Sequence, residues 1–159
     1  RRRKDWSDEM EENSFLLLQS LTNTNFDEAD TLLDDGANPN FKDGLGQNAL
    51  HLAVWNNCRQ DVFEKILDMI DNVNEGDMHG DTALRSAAYN NKLDFVKALM
   101  NHPEIDMNVK NKQHSTALFG ALDQLDQKMV DGDLIMDLDM VKQLLSADYK
   151  IDCLQKNNN

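Results

Sequence analysis

A chain of 159 residues is long enough for one sizeable domain, and its 29 acidic against 16 basic residues give a formal net charge of −13. The four leading residues, RRRK, are all basic, so residues 5–159 hold 12 basic against 29 acidic side chains. Such a surface repels phosphate backbones, which argues against direct nucleic-acid binding by the body of the domain, and it favours a partner protein with a basic surface.

Leu and Met dominate over aromatic residues, which suits packed helices better than a β-sandwich. The two cysteines, Cys58 and Cys153, show no metal-ligand spacing, and no N-x-Ser/Thr sequon occurs. Nothing resembles a signal peptide, and no apolar run approaches membrane length. These features point to an intracellular protein, cytoplasmic or nuclear, with free thiols. The first residue is Arg, so a processed chain or a piece of a longer protein is expected.

In chain order, residues 1–13 are expected to form a flexible segment, basic and then acidic. RRRK is short for a nuclear-localisation signal. Residues 14–42 follow, with SFLLLQSLTN as a first helix and LLDDGANPN closing a second. Three segments then align without gaps at a period of 34 residues: DGLGQNALHLA at 43–53, DMHGDTALRSA at 77–87 and NKQHSTALFGA at 111–121. Ala49, Ala83 and Ala117 coincide, as do Leu50, Leu84 and Leu118, and Ala53, Ala87 and Ala121. Asn40, Asn74 and Asn108 each stand three residues before a block. A fixed period of this size means stacked units, about 14–42, 43–76, 77–110 and 111–154, ending in a polar tail at 155–159.

The unit 77–110 shows the plan. Asp77–Gly80 is a turn, with Gly80 available for a positive φ. Thr82 is placed to cap a short helix, ALRSAAYNN. A second helix, LDFVKALMN, has Phe95, Val96, Leu99 and Met100 at helical spacing and ends at His102-Pro103. Residues 105–108 are expected to run out as an extended strand edge. Two short helices cannot bury their own apolar faces, so neighbouring units must supply one continuous core. The last unit holds about eleven extra residues relative to the others, within DQLDQKMVDGDLIMDLD. Asp131 or Asp133 is placed to cap a helix from Leu134. The acidic run there does not follow calcium-loop spacing and reads as a solvated or partner-contacting loop.

This pattern resembles the ankyrin repeat, whose signature is D-x-x-G-x-T-P-L-H-x-A-A followed by two helices and G-A-x-V-N. The resemblance covers roughly residues 14–154. It implies an all-α solenoid of helix-turn-helix units joined by β-hairpin-like turns, acting as a monomeric protein-binding module. Short acidic stacks of this kind are similar to inhibitors of Rel-type transcription factors. The family also supplies targeting domains of larger proteins and secreted effectors. The chain departs from the signature where Ala49, Ala83 and Ala117 replace Pro, where Arg85 and Phe119 replace the His kept as His51, and where Asn48 replaces Thr. Capping in the second and third blocks is expected to be weaker than in consensus repeats.

No phosphate-binding loop, dinucleotide fingerprint or zinc spacing is present, so no cofactor or metal is expected. His51 should be structural, bonding the turn before its helix. His79, near Asp77 and Asp81, and His114 lie at turn tips, where water competes with catalysis. A non-catalytic module is therefore expected. The family meets partners through turn tips and the concave side of the inner helices. By position, the tips are Gly44, Leu45 and Gln47; Met78, His79 and Asp81; and Lys112, Gln113 and Ser115. The helix positions are Trp55 and Asn56, Tyr89 and Asn90, and Asp123 and Gln124. Trp55 and Tyr89 should be neighbours in one row, as interface aromatics often are, unless Trp55 packs inward.

Overall fold

The computed structural model describes residues 6–130 and 139–146, with side chains from residue 8 to 124 and across 139–146. Seven helices run α1 (Trp6–Thr22), α2 (Phe26–Asp34), α3 (Ala49–Trp55), α4 (Gln60–Met69), α5 (Ala83–Tyr89), α6 (Leu93–Met100) and α7 (Ala117–Val130). Residues 139–146 are also helical. No strand occurs among the described residues, so the fold is all-helical.

The odd-numbered helices pack in a row, α1 on α3, α3 on α5 and α5 on α7. Small side chains make this row possible. Ala49, Ala53, Ala83, Ala87, Ala117 and Ala121 are all buried, so the backbones approach closely. The even-numbered helices form a second layer. There α2 packs on α4, and the rings of Phe63 (α4) and Phe95 (α6) meet edge to face at 4.6 Å. Leu50 and Leu84 lie between the layers, and Leu84 is only 2% exposed.

One device ends α1, α3 and α5. Asn57 and Asn91 adopt the left-handed conformation at φ 54° and 56°, as does Thr24 at 58°. After α3, the Cys58 N–H bonds Ala53 O at 2.9 Å and the Asn57 N–H bonds Val54 O at 3.4 Å. Lys92 and Asn91 repeat the pair after α5, on Ala87 O and Ala88 O. This double bond satisfies the last carbonyls and turns the chain sharply into the outer helix.

Three expectations are corrected. The segment 1–13 is not flexible throughout, because α1 begins at Trp6. No Gly or Pro interrupts residues 6–13, and Asp8 and Glu9 suit the positive end of the helix. Ser14 then anchors it, donating to Met10 O at 2.5 Å and accepting from the Asn38 N–H at 2.8 Å. Next, residues 105–108 form no strand. Side-chain oxygens hold this connection as a turn instead: Asp106 Oδ1 accepts from the Asn108 N–H at 2.9 Å, and Asn74 Oδ1 accepts from the Asp106 N–H at 2.8 Å. Asn74 thus ties one unit to the next, and Asn40 likewise accepts from the Asp71 N–H at 2.9 Å. Finally, α7 is 14 residues long where α3 and α5 are 7. The extra residues of the last unit therefore lengthen its inner helix before any loop. Asp131, Asp133 and the helix start at Leu134 lie outside the described residues.

Candidate functional site

The turn tips are built on one template. Asp43 Oδ1 accepts from the N–H groups of Leu45 (2.8 Å) and Gln47 (2.9 Å). Asp77 does the same for His79 and Asp81, and Asn111 for Gln113 and Ser115. The fourth residue of each tip is left-handed: Gly46 at φ 73°, Gly80 at 77° and His114 at 60°. A Cβ on Gly46 would lie 3.0 Å from Met78 N, so the next tip demands Gly as much as the φ does.

Neighbouring tips are joined through backbone. The Met78 N–H donates to Leu45 O, and the Lys112 N–H donates to His79 O, each at 2.9 Å. His51 adds a side-chain bridge. Its Nδ1 accepts from the Asn48 N–H at 3.2 Å, and its Nε2–H donates to Asp81 O at 3.0 Å in the next tip. Burial lowers its pKa below the ordinary 6.5, although the Asp81 carbonyl opposes this. The ring is held neutral in the tautomer that both bonds need.

Capping grades along the chain. Asn48 and His51 complete a reciprocal capping box. Thr82 accepts from the Arg85 N–H at 3.2 Å, and Thr116 from the Phe119 N–H at 3.4 Å. Arg85 nonetheless takes over the bridging role of His51. It pairs with Asp81 at 3.2 Å, reaches Ser115 Oγ at 3.4 Å and lies 5.5 Å from the centre of the Tyr89 ring. The Asn111 Nδ2–H donates to Asp81 Oδ1 at 2.8 Å. Asp81 is thus the junction of two tips.

The expected site residues divide into groups. Trp55, Asp81, Tyr89, Asn90, Gln113 and Asp123 line one groove of about 660 Å³ on the inner-helix side. Trp55 does not pack inward, being 64% exposed. Leu45, Met78, His79 and Lys112 are exposed at the tips, outside that groove, and Gln47 is half-buried there. Asn56 and Asn90 also serve their own helices. The Asn56 Nδ2–H donates to Leu52 O at 3.0 Å, and that of Asn90 to Ser86 O at 2.8 Å, so both close their own helices. Gln124 is half-buried and lies outside the groove.

Sequence reasoning missed Arg85 and Phe119, which also line the groove. Phe119 is 60% exposed. The available signal was the spacing of Phe119 and Asp123, which places both on one face of α7.

The arrangement offers little chemistry. The buried Cys58 thiol is pushed up to about 12, first by desolvation and then by Asp61, so it supplies no thiolate near neutral pH. No cluster of three His, Cys, Asp or Glu able to hold a metal occurs among the described residues.

No curated protein matches the chain. Residues 79–112 match the family model of the ankyrin repeat. The matched stretch runs from one turn tip through α5 and α6 to the next tip, the unit whose bonds are repeated on either side. On that match and that geometry, residues 79–112 form an ankyrin repeat.

Proposed function

We propose that this chain is a non-catalytic, monomeric ankyrin solenoid that binds a partner protein through its turn tips and the concave face of its inner helices. The observation that carries the reading is the groove itself. Trp55, Tyr89 and Phe119 line it, and short capped helices joined tip to tip hold it in place. Exposed aromatics on a rigid frame lose little conformational entropy on binding and anchor interfaces.

Charge supports a basic partner surface. Several cations of the stack pair within its own structure. Lys42 pairs with Glu75, Arg59 with Asp27 and Asp61, Lys65 with Asp30 and Asp34, and Arg85 with Asp81. Lys92 donates to the carbonyls of Val54 and Trp55 at the end of α3. The surplus carboxylates are left to set the outer field. Among the described residues, no helix is long and apolar enough to cross a membrane.

Affinity capture with the folded chain, read by mass spectrometry, tests this reading against two variants. Trp55→Ala should abolish capture of the specific partner while leaving the urea midpoint unchanged. Lys97→Ala, on outer helix α6, should leave capture intact. Equal capture by the wild type and Trp55→Ala would overturn the concave-face reading.

A further inference from the structure

Within the groove, two sets of side chains carry the same chemistry. In the first, the Arg85 guanidinium lies 5.5 Å from the centre of the Tyr89 ring and 3.2 Å from the Asp81 carboxylate. That set is complete, because the chain supplies its own cation. In the second, the exposed rings of Trp55 and Phe119 line the same groove together with the Asp123 carboxylate. Phe119 and Asp123 are one turn apart on α7. Among the described residues, no ion pair and no cation–ring contact involves Trp55, Phe119 or Asp123.

We propose that the groove receives one arginine side chain from a basic segment of the partner, with the guanidinium against the Phe119 ring, its charge facing Asp123, and the rest of the segment lying along the groove toward Trp55. The proposal rests on the concave face being the docking surface and names what enters it. Charge complementarity selects a cation. Asp81 is already neutralised by Arg85, so Asp123 is the groove's unpaired carboxylate among the described residues, in a chain of net charge −13. Ring geometry selects arginine over lysine. A planar guanidinium stacks on an aromatic face and presents a flat edge to a carboxylate at once, whereas an ammonium is a compact, strongly hydrated point charge. A groove of about 660 Å³ has room for such a side chain and the flanking backbone.

The probes are blocked tripeptides, acetyl-Gly-X-Gly-amide, with X as Arg, Lys, Leu or Glu. They are titrated into the chain while the indole N–H signal of Trp55 is followed by NMR. The signal is assigned by its loss in Trp55→Phe. The arginine peptide should move it saturably, with the lysine peptide weaker by several-fold and the leucine and glutamate peptides inert. Phe119→Leu keeps apolar area but removes the ring face, and Asp123→Asn removes the charge. Each should weaken the arginine peptide about three- to tenfold. Both positions are exposed, so the urea midpoint should not change. Equal response to the leucine peptide, or none to the arginine peptide, would overturn the proposal. Should the peptides fail while partner capture still depends on Trp55, the docking face stands and only its occupant is wrong. Should capture not depend on Trp55, the docking face itself is wrong.

Discussion

At the scale of single residues, the tips show how one position is decided by φ and by space together. Gly46 is left-handed at φ 73°, and a Cβ there would press on Met78 N at 3.0 Å. Gly44 has no such φ and nothing within 4 Å of its Cβ direction. Gly46→Ala should therefore cost about 1–3 kcal/mol by urea denaturation, and Gly44→Ala well under that. His114 occupies the matching position of the third tip at φ 60°. His114→Gly should relieve the left-handed penalty and raise stability by about 1 kcal/mol, read as a higher urea midpoint. His51 gives a pH signature. Its folded pKa is lowered, chiefly by burial, so the unfolded chain takes up the proton first as pH falls. Its contribution is present in full above the unfolded value of 6.5 and is lost as pH drops below it. His51→Gln should flatten the stability slope between about pH 7 and pH 5. An unchanged slope would mean that burial does not hold the folded His51 below its unfolded pKa.

At the scale of elements, the repeated Ala and Leu positions set the packing. Leu84→Ala should cost about 2–5 kcal/mol, because the buried side chain leaves a cavity between the inner and outer helices. The check is a urea midpoint at unchanged slope. The same positions explain what the sequence made legible. A period carried by buried residues marks α3 to α6 and their caps, because each unit must present the same face to its neighbour. The start of α1 carries no such mark. Its first turns expose Asp8, Glu9 and Met10 to solvent, and an acidic exposed helix looks like an acidic tail. The length of α7 was hidden for a similar reason, since residues beyond the 34-residue plan have no aligned counterpart. At the site, the row of Trp55 and Tyr89 was legible from spacing alone. Arg85 and Phe119 were not, because each stands where the family keeps His and reads as a loss. The structure shows that Arg85 rebuilds the bridge by another route and that Phe119 turns its ring to the groove.

At the scale of the whole molecule, ion pairs join neighbouring units: Lys42–Glu75, Arg59–Asp27 and Lys65–Asp30 link the first two. Exposed pairs of this kind contribute little each, so moderate salt should lower the urea midpoint only slightly. It should slow partner association much more, because steering depends on the unscreened field of the surplus carboxylates. In the proposed mode, partners meet the inner helices and tips, with the outer helices facing away. Hydrogen exchange of the chain, free and bound to its captured partner, tests this most directly. New protection should appear at the tips around 43–47, 77–81 and 111–115 and along α3, α5 and the first turns of α7, with α4 and α6 unchanged. Protection confined to α4 and α6 would place the partner on the opposite face and overturn the proposed binding mode.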